Sequence, residues 1–341
     1  MQSTPCFRNR FVANGRVQGV GFRPFIYRLA QEFQLTGFVQ NTSAGVVIEV
    51  QGAAEGVEGF TSALQQRLPP LAQLTSLQRE TLSAVTPPES SFTIVASSAG
   101  TGHQVLISPD VATCPDCLSE LHDPGDPRFA YPFINCTNCG PRYTITHSIP
   151  YDRPSTSMAC FPLCAQCRAE YEDPLDRRFH AQPNACPRCG PQLWMADAQG
   201  RTVETEAPVL ATAAQRLADG AIVAVKGLGG FHLACLATSN AAVTTLRERK
   251  HRLGKPLAIM VPDLGVAQRV VRVTAAEQAW LTGTVRPIVV CEKHEPTPLA
   301  TAIPPDTTSV GVMLPYTALH HMLFAYLCAV LPKDAVPALV L

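Results

Sequence analysis

Four Cys-x-x-Cys pairs limit what this chain can fold into more than any other feature. They are Cys114/Cys117, Cys136/Cys139, Cys164/Cys167 and Cys186/Cys189, and each cysteine of the second block stands 50 positions after its counterpart in the first. The copies agree beyond cysteine. Asp123-Pro124, Asp126 and Arg128-Phe129 recur as Asp173-Pro174, Asp176 and Arg178-Phe179, and Gly140-Pro141 recurs as Gly190-Pro191. Two pairs per block supply four thiolates, the donor set that closes a tetrahedral structural zinc site. Each two-residue spacer lets two sulfurs meet one ion, and the intervening loop brings the second pair across. Disulfides, a redox Cys-x-x-Cys and an iron–sulfur site are the alternatives. Cluster ligation usually needs other spacings and redox motifs rarely come fourfold, so zinc is the expectation, two ions per chain. An exact duplication favours each block holding its own ion; interleaving of pairs between the blocks stays open.

Thirteen cysteines would suit a secreted protein, but the start Met1-Gln2-Ser3-Thr4-Pro5-Cys6 runs straight into Arg8 and Arg10 with no apolar stretch, so a cytoplasmic protein is expected. The apolar run Leu319 to Leu331 is too short to span a bilayer and contains His320 and His321. Twenty-seven basic and 27 acidic residues cancel, which argues against broad electrostatic attachment to nucleic acid. The 341 residues are enough for two or three domains with cores of their own.

The expected class is a multidomain α+β protein. Residues 1–95 read as a compact αβ unit, 96–110 as a linker, 111–192 as the tandem four-cysteine region and 200–341 as alternating helices and short apolar strands. In the first unit, Phe11-Val12-Ala13 reads as a strand leading into the loop Gly15-Arg16-Val17-Gln18-Gly19-Val20-Gly21. A helix opens at Phe22, with Pro24 in its first turn and Phe22, Phe25, Ile26, Leu29, Ala30 and Phe33 as one apolar stripe. Such a loop aims backbone N–H groups at an anion, and Arg23 adds a planar fork suited to phosphate. On the loop alone, a tight turn with a surface arginine would be the simpler reading. Gly37 to Thr42 then reads as a strand containing Asn41, followed by a turn at Ser43-Ala44-Gly45 and an alternating strand carrying Val46, Ile48 and Val50.

Gly15-x-Val17-Gln18-Gly19-Val20-x-Phe22-Arg23 with Gly37-Phe38-Val39-x-Asn41 resembles the acylphosphatase signature. The resemblance implies a βαββαβ ferredoxin-like fold, a phosphate cradle of Gln18, Gly19, Val20, Gly21, Phe22 and Arg23, and catalysis by Arg23 holding phosphate while Asn41 orients water. No covalent nucleophile is required, because an acyl phosphate is already activated.

Toward the C-terminus, Val209 to Asp219 reads as a helix stopped by Gly220, and Ile222 to Val225 as a buried strand entering Lys226-Gly227-Leu228-Gly229-Gly230-Phe231-His232-Leu233. Ser239 caps a further helix that ends in the basic run Arg247 to Pro256, ahead of an apolar strand Leu257 to Met260. By itself this run fits a solvated face as well as an anionic pocket. The segments Lys226 to Leu233, Lys250-x-Arg252-x-x-Lys255-Pro256-Leu257 and Val310 to Tyr316 resemble YrdC-type domains. That resemblance implies an α/β domain forming a carbamoyl-adenylate from ATP, with Mg2+ expected to accompany the nucleotide. It implies nucleotide contacts from Lys226, Gly229, His232, Lys250, Arg252 and Lys255, in a domain incomplete at Leu341.

The whole order is similar to the HypF carbamoyltransferases of [NiFe]-hydrogenase maturation, in which a further large C-terminal domain follows. The resemblance implies cleavage of carbamoyl phosphate, adenylation of carbamate, and transfer to the C-terminal cysteine of a partner maturation protein for cyanide-ligand synthesis. Eight thiolates leave no open zinc position, so the zinc region is read as structural. Cys160 is read as a bystander, with His147 and His180 as minor alternative ligands. A stand-alone acylphosphatase with zinc-binding appendages and a zinc-based interaction or RNA-associated module are the rival functions.

Overall fold

Alternating apolar residues build the first sheet. In the computed structural model, which describes residues 6–43, 45–87, 89–98, 107–252, 254–304 and 307–341, the N-terminal region contains β1 (Cys6–Arg16), α1 (Phe22–Glu32), β2 (Thr36–Thr42), β3 (Gly45–Ala53), α2 (Ala54–Gln66), β4 (Gln73–Leu82) and β5 (Phe92–Ser98). The sheet order is β4-β1-β3-β2-β5. The first four strands and two helices give the expected βαββαβ arrangement, and β5 adds a fifth strand parallel to β2. Phe11, Ala13, Val46, Ile48 and Val50 fill one face, covered by Phe22, Ile26 and Leu29 of α1 and Val57, Phe60 and Leu64 of α2. The rings of Phe11 and Phe60 lie 5.9 Å apart.

Gly37 shows how tightly β2 is set. It has φ +127°, and a Cβ there would lie 2.1 Å from the Glu49 carbonyl oxygen of β3. Gly37→Ala is therefore expected to cost about 2–4 kcal/mol, from backbone strain plus displacement of a sheet neighbour. Urea unfolding measures this, and an unchanged midpoint would contradict the packing.

The helices α3 (Pro115–His122) and α4 (Ala165–Glu172) begin directly after Cys114 and Cys164, the matching first cysteines of the two blocks. Beyond them come the hairpin β6 (Met195–Ala196) and β7 (Thr202–Val203), then α5 (Val209–Ala218), β8 (Val223–Lys226), β9 (Phe231–Leu236) and α6 (Asn240–Lys250). The remainder is β10 (Ile259–Met260), α7 (Leu264–Val270), β11 (Val271–Arg272), α8 (Ala275–Thr282), β12 (Val289–Lys293), β13 (Ser309–Met313), α9 (Ala318–Val330) and β14 (Leu339–Val340). Seven strands form one sheet in the order β11-β12-β13-β10-β14-β9-β8. Its core includes Val243, Leu246, Ile259, Val261, Val270, Val310 and Val312.

By contacts the chain divides into two units, Met1–Asp110 with Asn135–Gly190, and Val111–Ile134 with Pro191–Leu341. Three expectations change in detail. β8 is not a buried strand: it is the outermost strand of its sheet, so Val225 is buried while Ala224 and Lys226 are exposed. β5 runs on to Ser98, pairing Ser98 with Thr42, so the strand takes up the first part of the expected linker; residues 99–106 of that linker lie outside the described residues, as do Ala44 of the expected turn and Leu253 of the basic run. The expected strand Leu257 to Met260 is reduced to Ile259–Met260. No described helix is long and apolar enough to cross a membrane.

Candidate active site and metal centres

Glycine makes the phosphate loop possible. Gly19 and Gly21 both have positive φ, 71° and 73°, and Gly21 is the N-cap of α1. No side chain caps this helix and its first turn holds no acidic residue, so its first backbone N–H groups face the loop. Val20 and Phe22 are buried anchors, leaving only their main chain for a ligand. Gln18 is a brace. Its amide nitrogen donates to the carbonyls of Thr42 (2.9 Å) and Gly45 (3.2 Å), and its oxygen accepts from the Tyr151 backbone N–H.

Arg23 is 7 % exposed and sits at the start of α1. One terminal nitrogen donates to Asp152 Oδ1 at 2.8 Å and the other to Ser97 Oγ at 3.4 Å. Asn41 on β2 is 1 % exposed, and neither atom of its amide has a hydrogen-bond partner. Leaving such a group without partners costs about 1–3 kcal/mol.

Part of this site comes from the cysteine region. Arg142 is fully buried and its guanidinium donates to the carbonyls of Gly19, Pro141 (2.7 Å), Cys136 (2.8 Å) and Thr137 (3.0 Å), tying the phosphate loop to the chain beside Cys136. Tyr151 is buried; burial raises its pKa, the nearby Arg142 guanidinium works the other way, and its hydroxyl makes no well-formed hydrogen bond. His180, against Tyr171 and Phe179, is held down to about 4, first by burial and then by the Arg23 charge, and is neutral at physiological pH. Loop, Arg23, Thr137, Arg142, Tyr151 and His180 enclose a cleft with about 20 Å³ of free volume. That is room for roughly one water.

Sequence reasoning missed Arg142, Tyr151 and Asp152, and considered His180 only as an alternative metal ligand. Two of them carried a signal, a break in the repeat. Position 142 is arginine where its counterpart 192 is glutamine, and His180 stands where its counterpart is Ala130. Both Ala130 and His180 adopt positive φ, 52° and 54°, so the backbone is shared and only the side chain facing the loop differs.

The cysteines gather as two separate sets, Cys114, Cys117, Cys136 and Cys139, and Cys164, Cys167, Cys186 and Cys189, each with all sulfurs within 4.8 Å of one another. Pairing is sequential rather than interleaved. The sulfur separations Cys136–Cys139 (3.8 Å), Cys164–Cys186 (3.7 Å) and Cys186–Cys189 (3.8 Å) match the edge of a tetrahedron with metal–sulfur bonds of about 2.3 Å, which is about 3.8 Å. All are far beyond disulfide length. The Cys164 thiol is drawn down to about 7, chiefly by the Cys167 backbone N–H, while burial pushes Cys186 up. These donor sets fit two structural zinc ions. Neither His147, beside Ser157 Oγ, nor His180 joins them, and Cys160 Sγ donates to the Ser157 carbonyl.

In the C-terminal sheet the candidate nucleotide residues separate into two groups. Lys226 and His232 lie on the β8–β9 hairpin, whose turn, containing Gly229 at φ 79°, is closed by Gly227 N–H donating to the Gly230 carbonyl at 2.8 Å. Lys250, at the end of α6, lies close enough to His232 to add to the lowering of its pKa, of which burial is the larger cause. Tyr316 and the buried His320 join His232, the imidazoles stacked at 5.9 Å. Arg252 and Lys255 are exposed on the following loop. That loop is pinned by Arg247, which is buried and donates to the carbonyls of Arg252 (2.6 Å), Lys255 (3.0 Å) and Ile303 (3.2 Å). The basic run is thus neither all surface nor all pocket.

Comparison with known proteins follows the same divisions. Family models match at residues 9–94 (Acylphosphatase), 113–146 and 163–196 (HypF finger) and 215–332 (Telomere recombination). The chain is 50% identical over 318 residues to carbamoyltransferase HypF2 of Cupriavidus necator, covering 93% of this chain and 39% of that protein. It is 42% identical over 81 residues to the acylphosphatase of Syntrophotalea carbinolica, covering 87% of it. A crystal structure of full-length HypF in the phosphate- and nucleotide-bound form superposes with a TM-score of 0.92 at 41% identity, over 99% of this chain and 43% of that one. The chain therefore spans about two fifths of the length of the HypF proteins it matches.

Proposed function

The chain belongs to the HypF carbamoyltransferase family, and from that premise we propose that it performs the opening chemistry of carbamoyl transfer, hydrolysing carbamoyl phosphate in its N-terminal region. Arg23 and the N–H groups of the loop hold the phosphate, and Asn41 holds the attacking water. The water oxygen bonds to phosphorus as the bridging P–O bond breaks, carbamate departs with the bonding electrons, and the proton the water loses passes to a non-bridging phosphate oxygen. Positioning and charge neutralisation are the whole of the catalysis asked of the protein. The observation that carries this reading is Asn41: a buried amide with no partner, in a sheet whose phosphate loop already places Arg23.

The further assignments rest on the family. Residues 1–95, 111–192 and 200–341 serve as hydrolase, zinc scaffold and adenylation region. Lys226, Gly229, His232, Lys250, Arg252 and Lys255 contact ATP, whose phosphate charge Mg2+ would help neutralise when bound; a carbamate oxygen bonds to the α-phosphorus as the bond to the β-phosphate breaks, giving the carbamoyl-adenylate and pyrophosphate. The carbamoyl group is destined for the C-terminal cysteine of a partner maturation protein in the cytoplasm. Carbamate decomposes in water, which favours a protected passage over free diffusion.

Phosphate release from carbamoyl phosphate tests the first step. Asn41→Ala is expected to lower kcat by about a hundredfold, the typical result of removing one group that acts mainly in the transition state. Equal turnover in variant and wild type would refute the role of Asn41.

A further inference from the structure

A carboxylate beside the phosphate-binding arginine is chemically unexpected. It neutralises the charge an oxyanion needs and competes for the same N–H groups. Asp152 nevertheless occupies that position, 2.8 Å from Arg23, with side-chain exposures of 25 % and 8 %. It lies outside the acylphosphatase match at residues 9–94, so it is an addition to that domain's site.

The residues on either side hold it there. The Tyr151 backbone N–H donates to Gln18 Oε1 at 3.2 Å, and the Arg153 backbone N–H donates to Gln182 Oε1 at 2.7 Å. The Arg153 guanidinium is anchored to the carbonyls of Gln182, Asn184 and Phe161 at 2.6–2.8 Å. Asp152 is therefore set between two fixed points, one of them the brace of the phosphate loop. Next to it, the buried Tyr151 hydroxyl lines the cleft and makes no well-formed hydrogen bond. Two oxygen acceptors thus stand where the phosphate loop meets the cysteine region.

Resting on the hydrolase reading above, we propose that Asp152, assisted by the Tyr151 hydroxyl, is the specificity determinant that recognises the carbamoyl NH2 group. Arg23 keeps Asp152 on one edge and turns its other donors to the incoming phosphate, and the free lone pairs of the carboxylate accept from the substrate's amide nitrogen. The planar guanidinium fork holds its two partners side by side, so a carboxylate on one edge stands next to a phosphate on the other. Carbamoyl and acetyl phosphate have nearly the same shape and differ by NH2 against CH3. Shape alone separates such isosteres poorly. A half-buried acceptor left without its hydrogen bond discriminates against the methyl compound.

The test is kcat/KM for carbamoyl phosphate and for acetyl phosphate, measured on the full chain with wild type, Asp152→Ala, Asp152→Glu and Tyr151→Phe. Wild type is expected to favour carbamoyl phosphate. Asp152→Ala should reduce the carbamoyl-to-acetyl ratio by roughly tenfold to a hundredfold, the usual worth of a charge-assisted hydrogen bond. Tyr151→Phe should reduce it less, and Asp152→Glu should restore part of it. Zinc content of two per chain in each variant verifies folding. If Asp152→Ala and Tyr151→Phe leave the ratio where it was, both substrates falling together, Asp152 only steadies Arg23 and the proposal is overturned while the hydrolase reading stands. A folded wild type inert toward both substrates would overturn the hydrolase reading itself, and this proposal with it.

Discussion

Removing the metal is expected to unfold the cysteine region, and two zinc ions per chain are expected when it is folded. Each set of four sulfurs already has tetrahedral spacing, and the elements that carry the cysteines are too short to stand without them. Their helices are short, eight residues each, and bury only Cys117 and Leu121 in α3 and Cys167 in α4. A helix of that length is marginal in isolation. Structural zinc supplies about 10–16 kcal/mol in finger peptides, as much as the whole stability of an ordinary domain. A strong chelator should abolish protease resistance of residues 107–196, and Cys167→Ser should lower zinc content from two to one. Arg142 is held in the same segment and orders the Gly19 carbonyl, so chelation should also reduce acyl-phosphate hydrolysis. Metal analysis that returns one ion, or retained folding with none, would refute the assignment.

Arg23→Ala is expected to lower carbamoyl phosphate turnover by at least a hundredfold. Loss of one charge-assisted contact to a developing oxyanion costs about 3 kcal/mol in the transition state. Here the effect is compounded, because Asp152 would remain in the cleft with no cation beside it and would repel the phosphate. The double variant Arg23→Ala/Asp152→Ala should therefore recover part of the loss relative to Arg23→Ala alone. Arg23→Lys, which keeps the charge without the fork, should fall between. Wild-type-like turnover in Arg23→Ala would end the assignment of the phosphate site.

Much of the site could be read from local sequence, because local chemistry fixes it. Gly19 and Gly21 permit the positive φ that a loop turning into a helix needs, and Phe22 to Leu29 set the helix by their period. Asn41 falls at a defined register on β2, opposite Val46. The cysteine sets were legible for a stronger reason: four thiolates per duplicated block leave few alternatives for the metal or its geometry. The nucleotide candidates were read less fully, since period and charge do not tell the buried Arg247, which fastens a loop through carbonyl contacts, from the exposed Arg252 within the same basic run.

What meets the Gly15–Gly21 loop was set by long-range packing. Asp152 stands 129 residues from Arg23, and Arg142 stands 123 from Gly19, separations across which no periodicity or spacing connects the partners. Their meeting depends on the cysteine region burying Tyr151 and Arg142 against the loop, a choice made by shape and by the carbonyls available to a buried guanidinium. Local pattern was enough for most of the elements and for the two cysteine sets. The fold decided that a carboxylate from a distant segment would share the arginine, because a buried charge must be paired, and the partner it finds is set by which surfaces close over it.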